Sequence, residues 1–302
     1  MPKEQLVEEL NHFQSIASLV LYRPENFPLL KNIDYHVGIE PHLACVSGDH
    51  LIVVNFEEYD LPELIRHAQE KGNVKLASTL AKNTDRFGIL IADSAGHMIT
   101  DHVNINYLHA AFKMGVSYEL RHNGEITKDL FEMMNSILYA RNQVEYLSNP
   151  PYITLIFAEI ANNGIVRSIR AGHPPPLYYL REAGVLLKLS PHHTESSTPL
   201  GMIPSKYRAD VEYFEPPSRT KDEYSIGQFQ IREPGDLLFL YSDAFIEQKN
   251  GTLNYTETPR FVRLLQDVKD GTAKEIYTAV LADLKAFAPI EDDLTLVVIK
   301  KT

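Results

Sequence analysis

Apolar and polar positions along the chain set out its elements. Leu6, Leu10, Phe13, Ile16 and Val20 recur at helical spacing with polar residues between them. This predicts an amphipathic helix over 6–20 that ends near Pro24. Nothing close by in the chain offers an obvious surface for its apolar face. Docking or dimerisation is one reading of it, and a cap on the following domain is the other. From about residue 34 the pattern turns to short strands, with one at 51–56. Leu64, Ile65, Ala68, Leu76 and Leu80 give helical periodicity over 61–81, which Gly72-Asn73 divides in two. Residues 87–92 form a continuous apolar run of the length of a buried strand. Helices follow over about 97–118 and 126–146, and Asn149-Pro150-Pro151 stops the second.

The second half is richer in strands. Runs at 152–160 and 165–170 flank Asn162-Asn163-Gly164 and read as a hairpin. Runs at 177–180 and 185–189 read as another around Ala183-Gly184. Further strands are expected at 210–214, 225–231, 236–242 and 294–300, with helices at 258–268 and 273–287. Strands come in antiparallel-looking groups with helices between the groups. The fold class is therefore α+β with a sheet sandwich, not a doubly wound parallel sheet.

Composition narrows the field. The 302 residues include 29 Lys plus Arg against 40 Asp plus Glu, a formal net charge of -11. That balance and the lack of any long Lys/Arg run argue against a general nucleic-acid binder, which must neutralise phosphates. Cys45 is the one cysteine, so no intrachain disulfide is available, and a reducing cytoplasm fits. The N-terminus lacks the pattern of a signal peptide. No apolar run approaches the roughly 20 residues of a membrane span.

Familiar catalytic devices are missing. There is no phosphate-cradling glycine loop, no His-Glu-x-x-His pair and no Gly-x-Ser-x-Gly. The aspartates stand out instead. Asp93 ends the apolar run 87–92, Asp243 ends 236–242, and Asp292-Asp293 opens the last strand. Asp49 lies in the turn Ser47-Gly48-Asp49 before strand 51–56. Carboxylates at sheet rims could converge, and their hard oxygens suit Mg²⁺ or Mn²⁺. Strand-end aspartates are also common turn and cap residues, so spacing alone leaves both readings open.

The order of motifs carries a resemblance. Ser47-Gly48-Asp49 is followed by Asp93-Ser94-Ala95-Gly96-His97-Met98, then Thr154 on a strand and Ala171-Gly172-His173-Pro174-Pro175-Pro176. Pro199-Leu200-Gly201, Pro234-Gly235-Asp236, Tyr241-Ser242-Asp243-Ala244 with Glu247, and Asp292-Asp293-Leu294-Thr295 complete the series. This resembles the PPM family of metal-dependent Ser/Thr protein phosphatases, and within it the SpoIIE/RsbU branch. The resemblance implies two stacked antiparallel β-sheets flanked by helices, over residues 26–302, with residues 1–25 as a helical dimer or regulatory element. It implies a two-ion centre of Mn²⁺ or Mg²⁺ held by Asp49, Asp93, Asp243 and Asp292 and by the backbone carbonyl of Ser94. Asp49 or Asp93 would bridge the ions, and Asp293 would stand behind the ligands. A metal-activated water would attack phosphorus in line, without a covalent enzyme intermediate.

The branch implies a partner too: a small phosphorylated anti-anti-sigma protein of the STAS type, in sigma factor regulation. Two positions depart from the pattern. Met98 and Ala244 replace glycines, and Ala at a position needing positive φ costs roughly 1 kcal/mol. They favour the alternative reading, a pseudophosphatase that grips a phosphoprotein without hydrolysing it. His173 is expected to close its turn by hydrogen bonds; no catalytic role is implied for His97, for which a donor or acid near the metals is the lesser reading. Helix 61–81 is a regulatory element or a surface insertion, and 216–225 a mobile loop.

Overall fold

The computed structural model describes Gln5 and residues 28–42, 47–95, 99–144, 151–189, 196–206 and 219–302. The helix expected over 6–20, the strand at 210–214, the first three residues of the loop at 216–225, and Cys45, His97, Met98, His192 and His193 lie outside the described residues.

The chain runs β1 (Ile33–Glu40), β2 (Asp49–Val54), α1 (Leu61–Glu70), α2 (Val74–Ala81), β3 (Arg86–Ser94), α3 (Ile99–His122), α4 (Lys128–Val144) and β4 (Ile153–Ala161). It continues through β5 (Ile165–Ala171), β6 (Leu177–Leu180), β7 (Val185–Lys188), β8 (Ser196–Ser197), β9 (Gly227–Gln230) and β10 (Leu237–Tyr241). It closes with α5 (Asp243–Glu247), the short pair β11 (Lys249–Asn250) and β12 (Leu253–Asn254), α6 (Pro259–Val268), α7 (Ala273–Phe287) and β13 (Leu294–Lys301).

Two larger sheets result. One has the order β1-β13-β10-β6-β7, antiparallel throughout. The other has the order β2-β3-β4-β5-β8, with β9 also paired to β5. Alternation along β3 explains the layering. Phe87, Ile89 and Ile91 enter a core between the sheets, where they meet Ile156, Ile160, Leu238, Leu240, Val297 and Ile299. Leu90 and Ala92 turn the other way, toward Leu80, Leu108, Phe112, Val116 and Phe131 of α2, α3 and α4. Burial on both faces is why the sequence here reads as one unbroken apolar run. The other outer face packs Phe239 and Val298 against Phe261 and Leu265 of α6 and Ile276, Val280 and Leu284 of α7. The architecture is helix, sheet, sheet, helix, as expected.

Local chemistry fixes the ends of the helices. Gly72, at φ 70°, turns the chain between α1 and α2, and the Asn73 side chain accepts from Leu76 N to cap α2. Leu61, Ala68, Ala77 and Leu80 are buried against the sheet. The 61–81 segment is thus part of the core and not a surface insertion. Thr272 and Glu275 form a reciprocal capping box at the start of α7. The third long helix runs four residues past its expected end at 118, to His122, and Gly124, at φ 76°, follows it. Among the described residues, no helix is long and apolar enough to cross a membrane.

Candidate active site

The antiparallel register brings the first two candidate aspartates together. Asp49 opens β2 and lies directly opposite Asp93 near the end of β3, while Asp93 in turn lies opposite Thr154 on β4. Directly opposed side chains have Cβ atoms about 5 Å apart, and like charges so placed repel. Asp49 is 3% exposed. Burial pushes its carboxyl well above the ordinary range, and the neighbouring Asp93 and Asp293 push it further. Two hydroxyls oppose this. Thr295 Oγ1 donates to Asp49 Oδ2 at 2.7 Å, and the Ser242 hydroxyl also bonds this carboxylate.

The second pair comes from the five-stranded sheet. Asp243 starts α5 just after β10, and Asp292 lies just before β13, which pairs with β10. Burial raises the pKa of Asp243, and Glu247 and Asp292 raise it further. Ser94 ends β3 with its side chain buried, and its N–H donates to Gly48 O at 3.2 Å.

The residues behind these pairs hold the turns. Asp293 accepts from His42 N at 2.7 Å and from Gly48 N at 2.6 Å, fixing the turn that carries Asp49. Ser242 Oγ accepts from Thr295 N at 2.9 Å, which locks β10 to β13 beside Asp243. In the sequence Ser242 and Thr295 stand out only as members of motifs, Ser242 beside Asp243 and Thr295 three residues after Asp292. Asp236, by contrast, is a loop anchor. It accepts from Tyr178 OH, Arg181 N and Glu233 N.

His173 is 3% exposed, between β5 and β6, and burial holds its pKa down, to about 3. Its Nε2 lies 2.8 Å from the Tyr241 carbonyl oxygen and its Nδ1 3.3 Å from Thr154 Oγ1. The sequence predicts that it closes its turn; instead its imidazole reaches across both sheets, and the turn is held through the His173 and Pro175 carbonyls, which accept from Arg170 and Tyr241. Ala244 sits in helical backbone, and among the described residues Asp60 is the only non-glycine at positive φ. The glycine-to-alanine departure there therefore carries no strain.

The structure thus forms two carboxylate pairs, Asp49 with Asp93 and Asp243 with Asp292. Among the described residues, no three His, Cys, Asp or Glu side chains close around one point where an ion would sit. The donor chemistry nevertheless fits divalent cations. The groups are hard oxygens, partly or wholly buried, each pair repelling itself.

Comparison with known proteins agrees with the fold. The model of the family Stage II sporulation protein E (SpoIIE) matches residues 83–302. The chain belongs to the SpoIIE family. No curated protein matches it at a significant level. Among solved structures it is similar to the RsbU and RsbW domains of a Mycobacterium tuberculosis protein, at 17% identity and a TM-score of 0.61 over 93% of this chain. The chain spans 64% of the length of that structure. It is similar to the SiaA-PP2C domain of Pseudomonas aeruginosa, at 14% identity and a TM-score of 0.63, covering 99% of this chain and 98% of that one. It is also similar to RsbX, solved in complex with magnesium, at 14% identity and a TM-score of 0.52, covering 92% and 99%. These likenesses establish a shared PP2C-like fold.

Proposed function

We propose that this chain is a metal-dependent protein phosphatase that hydrolyses phosphoserine or phosphothreonine on a small regulatory protein of the STAS anti-anti-sigma type. The observation that carries the reading is the facing of the buried Asp49 and the half-buried Asp93, opposed in register at the start of β2 and the end of β3. Family membership supports the same activity. In this reading Asp49, Asp93, Asp243, Asp292 and the Ser94 carbonyl hold two ions, Mn²⁺ or Mg²⁺. Two separate carboxylate pairs suit two ions better than one, and the magnesium of RsbX supports a divalent cofactor. When bound, the ions would activate a water for in-line attack on phosphorus and neutralise charge on the phosphoryl oxygens.

The chain's own residues do the holding. Thr295 and Ser242 orient the Asp49 carboxylate, and Asp293 fixes its turn. A phosphoprotein substrate of this kind fits a location in the cytoplasm. The amphipathic pattern over 6–20 supplies a dimer or regulatory element. Deleting residues 1–20 is expected to change the mass by light scattering or the rate, and no change in either discards that role.

The deciding experiment is hydrolysis of a phosphoserine peptide. Activity is expected with Mn²⁺, none with EDTA, and recovery when Mn²⁺ is restored. Full activity in EDTA rejects the metal mechanism. Tight phosphopeptide binding without turnover in Mn²⁺ would support the pseudophosphatase instead.

A further inference from the structure

Several links tie the two sheets together at the carboxylate rim. Thr295 reaches from β13 to Asp49, and Asp293 reaches to the Gly48 turn. Another link is the imidazole of His173. Its Nε2 faces the Tyr241 carbonyl oxygen at 2.8 Å, and a carbonyl oxygen only accepts, so Nε2 carries the hydrogen. Nδ1 is then the lone-pair atom of a neutral ring, and it accepts the Thr154 hydroxyl proton at 3.3 Å.

Both ends of this bridge stand beside the carboxylates. Thr154 lies directly opposite Asp93 in the six-stranded sheet. Tyr241 ends β10, two positions before Asp243, in the five-stranded sheet. Closure of the 171–176 turn needs neither bond. Arg170 Nη1 donates to the His173 carbonyl at 2.7 Å, and Tyr241 OH donates to Pro175 O. Gly172 supplies φ 68° at a point where a Cβ would lie 2.5 Å from Pro199 Cγ. The backbone contacts hold the turn, and the imidazole runs sideways from one sheet to the other.

We infer that His173 is a positioning residue: by joining Thr154 to the Tyr241 carbonyl through one neutral imidazole, it sets the spacing between the Asp49–Asp93 pair and the Asp243–Asp292 pair. This rests on reading the rim as a two-ion phosphatase centre. Partners that orient ligands in this way change metal affinity or activity about 10- to 100-fold when removed. His173 acts at one remove, so the effect should fall at the low end of that range.

The test is Mn²⁺ titration of the full chain followed by electron paramagnetic resonance, with thermal melts to confirm folding. His173→Ala is expected to weaken Mn²⁺ binding about tenfold and to lower kcat for a phosphoserine peptide more than it changes KM. Thr154→Val keeps the branched shape but removes the donor, and it should shift Mn²⁺ affinity in the same direction. The double variant should be no worse than His173→Ala, because both changes break one bridge. His173→Gln should recover part of the affinity, since its amide N–H can reach the Tyr241 carbonyl. Unchanged Mn²⁺ affinity in folded His173→Ala overturns the inference, as do additive losses in the double variant. If His173→Ala does not fold, Thr154→Val decides alone, and unchanged affinity there overturns it. A wild type that binds no Mn²⁺ overturns the two-ion reading as well, an outcome distinct from a wild type that binds Mn²⁺ and variants that bind it equally.

Discussion

The six-stranded sheet buries carboxylates at both ends and treats them in opposite ways. At one end Glu159, 3% exposed, accepts from Arg86 Nη1 at 3.1 Å and Arg167 Nη1 at 3.3 Å. Arg86 also bonds Asn83 Oδ1, and Arg167 bonds Glu125 at 2.5 Å. Charge there is met by charge within the chain. At the other end Asp49 faces Asp93, and the hydroxyls of Thr295 and Ser242 temper the repulsion on Asp49. A fold that wanted stability alone would have treated both ends alike. The difference is in keeping with the proposed two-ion reading of the second end.

Substitutions should affect the two ends in different observables. The largest effect is expected at the rim. Asp243→Asn or Asp93→Asn should lower Mn²⁺-dependent kcat/KM by more than about 10²-fold, since metal ions supply several kcal/mol of charge stabilisation. The melting curve of the metal-free protein should show no matching loss. Retained phosphatase activity would mean that the rim is not the reactive centre. At the far end, Glu159→Ala leaves Arg86 buried without its carboxylate. That should cost about 3–5 kcal/mol of stability, read as a lower urea midpoint, with the folded fraction still active.

A smaller and opposite effect is expected for Asp49→Asn without metal. Removing one of two opposed charges should raise the melting temperature by about 2 °C, while Mn²⁺ loses its stabilising effect. The smallest effect is a pH slope. Asp49 and Asp243 have folded pKa values above their unfolded value of 3.8. Above that value the unfolded chain releases protons first, so their contribution to stability declines as pH rises from about 4 toward the folded values. Melting in EDTA should show this slope, and Asp49→Asn should flatten it. An unchanged slope would assign it to other groups.

The fold was largely legible because its signals are local. Two-sided burial of β3 leaves an unbroken apolar run at 87–92, and the capping box of α7 is written in Thr272 and Glu275. The candidate aspartates were legible for the same reason, as acids abutting apolar strands. What could not be read was pairing across the sheet. The opposition of Asp49 to Asp93 follows from the β2–β3 register, and no local pattern encodes it. The roles of Ser242, Thr295 and Asp293 come from the contact of one sheet with the other, after the strands have paired. The Arg86–Glu159–Arg167 cluster draws one residue from each of three strands, so each looks unremarkable in sequence. In sequence the 61–81 helices read as a regulatory element or a surface insertion because they lengthen the gap between Asp49 and Asp93, yet Leu61, Ala68 and Leu80 are buried.

One strand, β3, carries Arg86 at its start and Asp93 one residue before its end. Seven steps of about 3.3 Å separate them by roughly 23 Å, beyond the Debye length of about 8 Å at physiological salt. The ends are therefore electrostatically deaf to one another. Natural variation or a protein engineer can retune the ionic clasp for heat or salt tolerance without detuning the rim. Changes made at opposite ends should simply add.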